Sequence, residues 1–294
     1  MTCPTSSVIA VMVTHEGAAH LDAQLRSMAA QTRPIDRLVV LDDDSGDDTL
    51  DILHAYRDVL PIEVHSTAVP RVSSESTFAR IGRNFRDAIR LAVPGDADVV
   101  LFADQDDVWE SDRVAHQSER IGSASASAAS ADCIDVDGRP TGSTLDVFYP
   151  RPTNWSSLDS AEQLRAALTL PLATGAAMAV HGAFLRRVPE VPAGWLHDRW
   201  YSLCAAVEGG LDIDPRPVIR YRLHAAQTVG ASGSGRSAAR DRVAAWARRP
   251  GAVVRRLEDI RGLGVLAPDA AVRAELRRRA LVGTMLRRAF EAAA

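Results

Sequence analysis

Two carboxylates, at positions 104 and 106, form the most chemically suggestive pair in the sequence. Asp104 and Asp106 stand one residue apart in a polar turn that follows the apolar segment Asp98–Ala103 directly. Carboxylates in such a turn can converge on a hard cation, and Mg²⁺ or Mn²⁺ takes oxygen ligands while leaving room for substrate phosphates. The alternative is a solvated acidic turn without a ligand. The buried strand expected just before the turn favours a divalent metal site.

A second acidic group follows the apolar segment Leu38–Leu41. Asp42 and Asp43 lie next to this expected strand, where they could accept hydrogen bonds from a nucleobase or from ribose hydroxyls. The alternative is that they cap the helix that follows. Asp47 and Asp48 lie further along and suit the first turn of that helix, since its positive end favours carboxylates. Asp42 and Asp43 are therefore the better ligand candidates.

The other polar candidates have simple structural explanations when each is taken alone. Asp198, after His197, is placed to cap a helix, and His224 follows a segment broken by prolines. The eight histidines show no metalloprotease spacing. The sequence also lacks a nucleophile elbow, a Walker loop and a Gly-x-Gly-x-x-Gly motif. It contains no lysine, which excludes Schiff-base chemistry and any P-loop mechanism that needs that residue.

The elements that must position these side chains alternate between strand-like and helix-like patterns. Such alternation predicts right-handed β-α-β units and a mostly parallel sheet. Ligands bind at the carboxyl ends of the strands in sheets of this kind, so the loops at Thr14–Glu16, Asp42–Asp43 and Asp104–Asp106 should face one crevice. The predicted strands are Val8–Val13, Leu38–Leu41, Ile62–His65 and Asp98–Ala103.

The pattern is weaker after Trp109. The Ser/Ala-rich segment Gly122–Ala131 predicts a mobile loop, and Ile213–Leu223, which contains two prolines, predicts a broken or edge strand. Gly230–Gly235 has the composition of a linker. Three Arg-rich helices are predicted after it, over residues 237–247, 252–261 and 270–292.

Composition places the chain among soluble globular proteins. Its 294 residues are 46% hydrophobic and 24% charged. The longest mostly apolar stretch, Leu168–Val180, is 13 residues long and contains a proline, whereas a membrane-spanning helix needs about 20 apolar residues. The first residues lack a basic segment, so no signal peptide is expected. Three widely spaced cysteines suit neither a disulfide framework nor a four-ligand zinc site, and they indicate a reducing, cytoplasmic compartment.

Charge is distributed unevenly along the chain. Residues 1–235 carry a net charge of −12 and residues 236–294 a net charge of +8. The basic tail is compatible with three arrangements: a helical lid packed on the core, a homodimer contact, or peripheral contact with the anionic inner face of the cell membrane. Nucleic-acid binding is not expected, because the tail lacks aromatic platforms and a known binding fold.

Together, seven motifs resemble those of the inverting family 2 glycosyltransferases with the GT-A fold, and specifically the rhamnosyltransferase-like branch. The resemblance covers roughly Val8 to Gly230. His15 and Glu16 depart from the usual first motif, and Asp44 stands where the second motif usually has glycine. The motifs, in chain order, are Val11–Gly17, Val39–Thr49, Gly82–Phe85, Phe102–Trp109, Thr174–Met178, His197–Trp200 and Tyr221–Gly230.

The resemblance implies an α/β fold of the GT-A type, with a mostly parallel central sheet flanked by helices and a C-terminal helical extension. Residues 1–230 would form the glycosyltransferase domain. Its nucleotide-binding half would be residues 1–110 and its acceptor half residues 111–230. Residues 236–294 would form the Arg-rich helical extension.

The resemblance also implies roles for individual residues. Asp198 would be the catalytic base. Asp104, Asp106 and His224 would hold Mg²⁺ or Mn²⁺. The nucleotide sugar would contact Thr14, Glu16, Asp42, Asp43, Arg83, Asn84, Asp104 and Gln105. The acceptor side would be formed by Trp109, Thr174, Gly175, His197 and Trp200.

The implied reaction moves a sugar from a nucleoside diphosphate to a hydroxyl of a glycan or a lipid-linked acceptor. A sugar hydroxyl is a poor nucleophile, so a carboxylate must take its proton during the attack. The branch favours dTDP-rhamnose as donor, with UDP-hexoses next. One alternative is a nucleotidyltransferase that makes a nucleotide sugar, although such enzymes usually carry a Gly-rich basic loop after the first strand. Another is a catalytically inactive protein that binds nucleotide sugars.

Overall fold

The computed structural model describes residues 6–69, 75–147, 151–224, 250–277 and 280–283. The strands in these ranges are β1 (Val8–Thr14), β2 (Arg37–Asp42), β3 (Ile62–Ser66), β4 (Val99–Ala103), β5 (Val108–Trp109), β6 (Ala126–Ile134), β7 (Pro140–Thr144), β8 (Met178–His181) and β9 (Leu211–Arg222). The α-helices are α1 (Ala18–Ala29), α2 (Thr49–Ala55), α3 (Thr77–Ala92), α4 (Arg113–Ile121), α5 (Ser160–Thr169), α6 (Gly182–Arg187), α7 (His197–Val207), α8 (Pro250–Gly262) and α9 (Ala270–Glu275). Short 3-10 helices lie at Leu145–Val147, Trp155–Ser157, Gly175–Ala177 and Leu263–Leu266.

These strands form one sheet in the order β3-β2-β1-β4-β8-β6-β9-β5, with β7 paired to β6. The first four strands in this order are parallel, and β8 pairs with β4 in the antiparallel sense. Thr14 at the end of β1 lies opposite Asp42 at the end of β2. Met12 lies opposite Ala103, the last residue of β4. The predicted α/β fold is confirmed, and the loops that follow β1, β2 and β4 leave the sheet at one edge.

Helices cover both faces of the sheet, which explains why its strands read as continuous apolar segments. On β1, Ile9 and Val11 belong to a core that also contains Phe85 of α3 and Trp200 of α7. Their neighbours on the opposite face belong to a second core with Leu21 of α1. The strand that precedes the first polar loop is therefore fixed from both sides.

The segment predicted to be a mobile loop, Gly122–Ala131, was predicted wrongly. Most of it belongs to β6, which lies between β8 and β9 and is buried over nearly its whole length. Its small side chains suit a strand that is covered on both faces, and two of its buried hydroxyls have carboxylate partners. Ser127 donates to Asp212 at 2.9 Å, and Ser130 donates to Asp146 at 2.8 Å.

Strand β9 was expected to be broken or to lie at an edge, and it is an internal strand. It pairs with β6 on one side and with β5 on the other. The predicted interruption appears as a register shift between β6 and β9. The shift occurs on both sides of the pair formed by Ser130 and Pro217. Proline has no N–H for the ladder, so such an irregularity is where a sheet accommodates it.

The described part of the C-terminal extension packs on the core. The predicted helix over 252–261 corresponds to α8, and the one over 270–292 corresponds in part to α9 and to helical residues 280–283. Leu257, Ile260 and Val272 join the same core as Trp200. The predicted linker and the helix over 237–247 lie outside the described residues. Within the described ranges, no helix has the length and apolar character needed to cross a bilayer.

Helix α3 approaches the segment before α7 so closely that Gly82 has no room for a side chain. A Cβ atom added to Gly82 would lie 1.9 Å from the carbonyl oxygen of Trp195. An alanine in a helix usually stabilises it by up to about 1 kcal/mol relative to glycine. We expect the opposite sign here, with Gly82→Ala lowering the free energy of unfolding by about 1–3 kcal/mol through overpacking. Urea unfolding measures the change.

Gly251→Ala is the matched control, because a Cβ atom there meets nothing within 4 Å. This variant should unfold at the same urea concentration as the wild type or at a slightly higher one. Equal stability of the Gly82→Ala protein and the wild type would contradict the close contact between α3 and Trp195.

Candidate active site

A cavity of about 480 Å³ opens where the loops after β1, β2 and β4 leave the sheet. This volume lies within the usual range for small-molecule sites. Helix α3, the turn before β8 and the start of α7 form further parts of its wall. The cavity brings together ten of the residues predicted from the sequence: Thr14, Asp43, Asn84, Asp104, Gln105, Asp106, Thr174, Gly175, His197 and Asp198.

Two of the predicted nucleotide contacts support the loops and do not line this cavity. Asp42 is buried at the end of β2, where it accepts hydrogen bonds from the hydroxyls of Thr14 at 2.8 Å and Ser45 at 2.7 Å. Glu16 is exposed, and its carboxylate accepts from the N–H of Gly46 at 2.7 Å. Both side chains join the loop after β1 to the loop after β2.

Helix α3 presents Arg80 to the cavity, whereas sequence reasoning selected Arg83. Arg80 is buried and forms a two-pronged ion pair with Asp43. Arg83 instead donates to Glu75 at 3.1 Å, and it does not line the cavity. The missed signal is spacing, because Arg80 and Asn84 are four residues apart and share one face of the helix.

Trp109 and Trp200, predicted to lie on the acceptor side, are core residues and do not line the cavity. The Trp109 indole is buried, with the guanidinium of Arg113 stacked 4.0 Å from its ring centre. The Trp200 indole is buried as well, and its Nε1 donates to the carbonyl of Pro189 at 2.8 Å. Burial of these two large rings stabilises the fold, so their contribution to the site is core packing and not contact with a ligand.

Asp104, Asp106 and Asp107 form the acidic cluster of the site. One carboxylate oxygen from each lies within 4.8 Å of the others. Burial, and then the negative charges of Asp106 and Asp198, raise the pKa of Asp104 to about 7. Burial also raises the pKa of Asp107, whose Oδ2 finds no hydrogen-bond partner among the described residues. A divalent cation would relieve this repulsion, so the three oxygen donors fit Mg²⁺ or Mn²⁺.

Asp107 was not predicted as part of this cluster, although it directly follows Asp106 in the sequence. His224, which was predicted, does not line the cavity, but its Nε2 lies 2.9 Å from Oδ2 of Asp106. The metal candidates are therefore the three carboxylates, with His224 in contact with one of them.

A buried cation, Arg113, lies close to this cluster. It donates to the carbonyl of Phe102 at 2.9 Å and to Oε1 of Gln117 at 2.8 Å. Burial lowers its pKa to about 9, so it remains charged at neutral pH. Its charge lowers the pKa values of Asp104 and Asp107 and partly opposes the rise caused by burial. Arg113 thus helps to keep these carboxylates ionised.

Asp198 lies in the first turn of α7 and lines the cavity. Its Oδ2 accepts from the N–H of Gly175 at 3.1 Å, and its Oδ1 accepts from the N–H of Arg199 at 2.5 Å. Burial raises the pKa of this carboxyl, and its backbone hydrogen bonds lower it in part. A fixed, partly desolvated carboxylate of this kind is suited to general base chemistry.

His197, which precedes it, is held between aromatic rings. Its ring stacks on Phe85 with a centroid separation of 3.7 Å and meets Phe102 edge-on at 4.7 Å. Burial lowers its pKa to about 3, so the ring is neutral, and neither ring nitrogen has a partner among the described residues. A neutral imidazole keeps one N–H that it can donate to a ligand.

Arg222 connects the acidic loop to the outer part of the sheet. It is buried, and its Nε donates to the carbonyl of Asp106 at 2.8 Å. Its Nη1 donates to the carbonyls of Asp135 at 3.2 Å and Val136 at 3.0 Å. Arg222→Met removes these bonds and should lower the free energy of unfolding by about 2–3 kcal/mol, as measured by urea unfolding.

Arg220→Gln is the control, two residues earlier on the same strand. Its guanidinium pairs with Glu110 at 2.7 Å, and the arginine is exposed while the glutamate is partly exposed. Loss of such a surface pair should change the free energy of unfolding by less than about 1 kcal/mol. Equal effects of the two substitutions would show that Arg222 does not anchor the acidic loop.

Comparison with known proteins gives one family match and one curated relative. The family model for glycosyl transferase family 2 matches residues 9–188. The dTDP-rhamnosyl transferase RfbG of Shigella flexneri is 28% identical over 103 residues, which are 35% of this chain and 34% of that protein. The chain thus spans about a third of the length of this relative.

Among solved structures, residues 1–349 of S. aureus TarS share 18% identity with a TM-score of 0.57, over 97% of this chain and 72% of that one. The same protein in complex with UDP-GlcNAc gives 17% identity and a TM-score of 0.59, over 97% of this chain and 73% of that one. At this level of identity the likeness shows a shared fold.

Proposed function

Because the chain belongs to glycosyl transferase family 2, we propose that it transfers a sugar from a nucleoside diphosphate to an acceptor hydroxyl with inversion at the anomeric carbon. The proposed donor sugar is rhamnose, carried on dTDP, and the proposed acceptor is a glycan or a lipid-linked glycan. The observation that carries the proposal is the shared cavity of Asp104, Asp106 and Asp198. The charge of Asp198 is close enough to raise the pKa of Asp104, so the two carboxylates interact electrostatically across the cavity.

In the proposed reaction, Asp198 accepts the proton of the acceptor hydroxyl while that oxygen attacks the anomeric carbon. The bond from this carbon to the phosphate oxygen breaks, and its electron pair stays on the leaving nucleoside diphosphate. Asp104, Asp106 and Asp107 would hold Mg²⁺ or Mn²⁺, which supplies charge neutralisation for that leaving group when bound. His197 is a poorer base than Asp198, because burial lowers its pKa to about 3.

The donor nucleoside is proposed to bind at Thr14, Asp43 and Asn84. Asp43 is held by Arg80, yet a carboxylate can accept about four hydrogen bonds and retains capacity for a ligand. Oδ1 of Asn84 is buried and finds no partner among the described residues, so it is available to a ligand N–H or hydroxyl. The match to a dTDP-rhamnosyl transferase supports dTDP-rhamnose, and the fold shared with a UDP-GlcNAc complex keeps UDP-sugars as the second choice.

Location and domain organisation are proposed along the same lines. Three cysteines, of which Cys133 and Cys204 are buried and free, suit the reducing cytoplasm. The proposed glycosyltransferase domain covers residues 1–230, with its division near residue 110. Residues 236–294 are proposed as an extension that packs on this domain.

A donor screen tests the proposed function. The protein is incubated with dTDP-rhamnose, UDP-glucose, UDP-GlcNAc or GDP-mannose, with and without Mn²⁺, and the released nucleoside diphosphate is measured. We expect release from dTDP-rhamnose, dependent on Mn²⁺ and faster when a lipid-linked glycan fraction is added. Donor binding without any release would indicate the inactive binding protein. Formation of pyrophosphate from a nucleoside triphosphate and a sugar 1-phosphate would indicate the nucleotidyltransferase.

The pH dependence of turnover tests the base. A general base must be ionised, so turnover falls as the pH drops through the pKa of Asp198. Because burial raises this pKa, the acid limb of kcat should lie above the value of about 3.9 for an exposed aspartate. The measurement is kcat against pH at saturating donor and Mn²⁺. An acid limb at the value for an exposed aspartate would contradict the assignment.

A further inference from the structure

Within its described residues, the C-terminal extension contributes one side chain, Arg256, to the wall of the cavity. This arginine lies on α8 and is half-buried. Its guanidinium stacks 3.8 Å from the ring centre of Trp195. Nε1 of the same tryptophan donates to Asp259 at 2.9 Å, one helical turn further along α8. Trp195 therefore fixes the helix at two positions on one face.

Core packing fixes the orientation of α8 as well. Leu257 and Ile260 are buried in the core that contains Trp200 and Phe85. The helix cannot rotate about its axis without exposing these apolar side chains to water, which would be unfavourable. Arg256 is consequently held at the cavity wall by the fold.

Arg256 differs from Arg80 and Arg199, the other arginines that the described residues place in the cavity wall. Arg80 is paired with Asp43, and Arg199 donates to the carbonyls of Leu168, at 2.8 Å, and Leu170. In the part of the chain that the structure describes, the guanidinium of Arg256 donates no hydrogen bond. An arginine carries five N–H donors, and a guanidinium binds carboxylate or phosphate in a two-pronged manner.

The electrostatics agree with an open anion site. Burial lowers the pKa of Arg256, and the charge of Asp259 opposes this shift. The charged form is therefore less well solvated than in water, and it remains the form present at neutral pH. An incoming anion would replace the lost solvation.

The location of Arg256 assigns the anion to the acceptor. Trp195, on which it stacks, lies three residues before Asp198, so Arg256 belongs to the wall that carries the proposed base. The acidic cluster of Asp104 and Asp106, proposed for the donor diphosphate, follows β4 instead. We propose that Arg256 binds a phosphate or carboxylate group of the acceptor. The acceptor would then be an anionic glycan, either free or lipid-linked. This inference rests on the proposed glycosyltransferase function.

Small anions serve as probes for this site. Glycerol 3-phosphate and glucuronate are the anionic probes, and glycerol and glucose are their neutral counterparts. Each is titrated by ligand-observed NMR, both with the free protein and with protein saturated with Mg²⁺ and dTDP or UDP. We expect at least one anionic probe to bind in both states, and neither neutral probe to bind as tightly. The probe that binds distinguishes a phosphate-bearing from a carboxylate-bearing acceptor.

Substitution then locates the binding. Arg256→Gln should weaken binding of the anionic probe by about tenfold or more, because a charge-assisted bidentate contact is lost. Arg256→Lys keeps the charge and should retain part of the affinity. Arg255→Gln is the matched control, since Arg255 is exposed and does not line the cavity. Thermal unfolding of each variant reports whether the fold is retained.

Two results would overturn the inference. One is equal probe affinity in the wild type and in Arg256→Gln, including the case in which neither anionic probe binds. The other is a loss of dTDP or UDP affinity in Arg256→Gln as large as the loss of probe affinity, because the guanidinium would then serve the donor diphosphate. Failure of the proposed function is separate, since it would appear as absent nucleotide binding in the wild type itself.

Discussion

Replacing Asp198 with asparagine should lower the turnover number by about 10²–10⁴-fold and leave nucleotide affinity near that of the wild type. The amide is close in size to the carboxylate but cannot accept the proton of the attacking hydroxyl. The proposed nucleotide contacts lie at the ends of β1, β2 and β4 and on α3, so nucleotide binding should persist. Turnover is measured as nucleoside diphosphate released from dTDP-rhamnose with acceptor, and affinity by calorimetry with dTDP and Mn²⁺.

The local structure dictates the controls. Both carboxylate oxygens of Asp198 accept backbone hydrogen bonds, from Gly175 and Arg199, and an amide can satisfy only one of them through its oxygen. Thermal unfolding of the variant therefore accompanies the kinetics. Asp58→Asn makes the same chemical change at an exposed position outside the cavity and should leave turnover unchanged. Turnover of Asp198→Asn within a few-fold of the wild type would exclude Asp198 as the base.

The parallel half of the sheet could be predicted from the sequence because two features coincide there. The strands are buried along their length, and each ends in polar residues at the same edge. Strands β1, β2 and β4 are covered on both faces, so they read as uninterrupted apolar segments. Polar residues stop each segment at the edge where parallel strands end together. The sequence therefore locates Asp43, Asp104 and Asp106 at one edge without any information on side-chain contacts.

Strand β6 shows where this logic ends. Alanine and serine have weak strand preferences, so nothing local marks Ala126–Ile134 as a central strand. Its conformation depends on pairing with β8 and β9, which are distant in the sequence. The paired carboxylates of Asp146 and Asp212 allow its serines to be buried. Such non-local partners are invisible to a pattern read along the chain.

Motif resemblance shows which segments matter, and it leaves open what each side chain touches. The motif around Trp200 is present at the site, yet the indole itself packs in the core while Asp198 faces the cavity. Likewise, the α3 motif pointed to Arg83, and the helix presents Arg80. The contribution of Arg256 depends on how α8 folds back onto Trp195, which charge counting in the tail does not reveal.

Replacing Asp106 with asparagine should weaken Mn²⁺ binding by about 100-fold or more, since loss of outer-shell partners alone typically costs 10–100-fold in metal affinity. The substitution removes one of three carboxylates whose oxygens lie within 4.8 Å of one another. The same loss should relieve repulsion in the metal-free protein, because the charge of Asp106 raises the pKa values of both Asp104 and Asp107. Calorimetry or Mn²⁺ EPR measures the affinity directly, without a donor or an acceptor.

Thermal unfolding with and without Mn²⁺ provides the sharper comparison. Removing the metal should lower the unfolding temperature of the wild type, whereas the substitution should not lower the unfolding temperature of the metal-free protein. A ligand that binds the folded state stabilises it, so Mn²⁺ should raise the unfolding temperature of the wild type. Without metal, Asp106→Asn should be at least as stable as the wild type, and Mn²⁺ should add little to it. Asp58→Asn should respond to Mn²⁺ as the wild type does. If neither Mn²⁺ nor Mg²⁺ raises the unfolding temperature of the wild type, the proposed metal dependence is wrong.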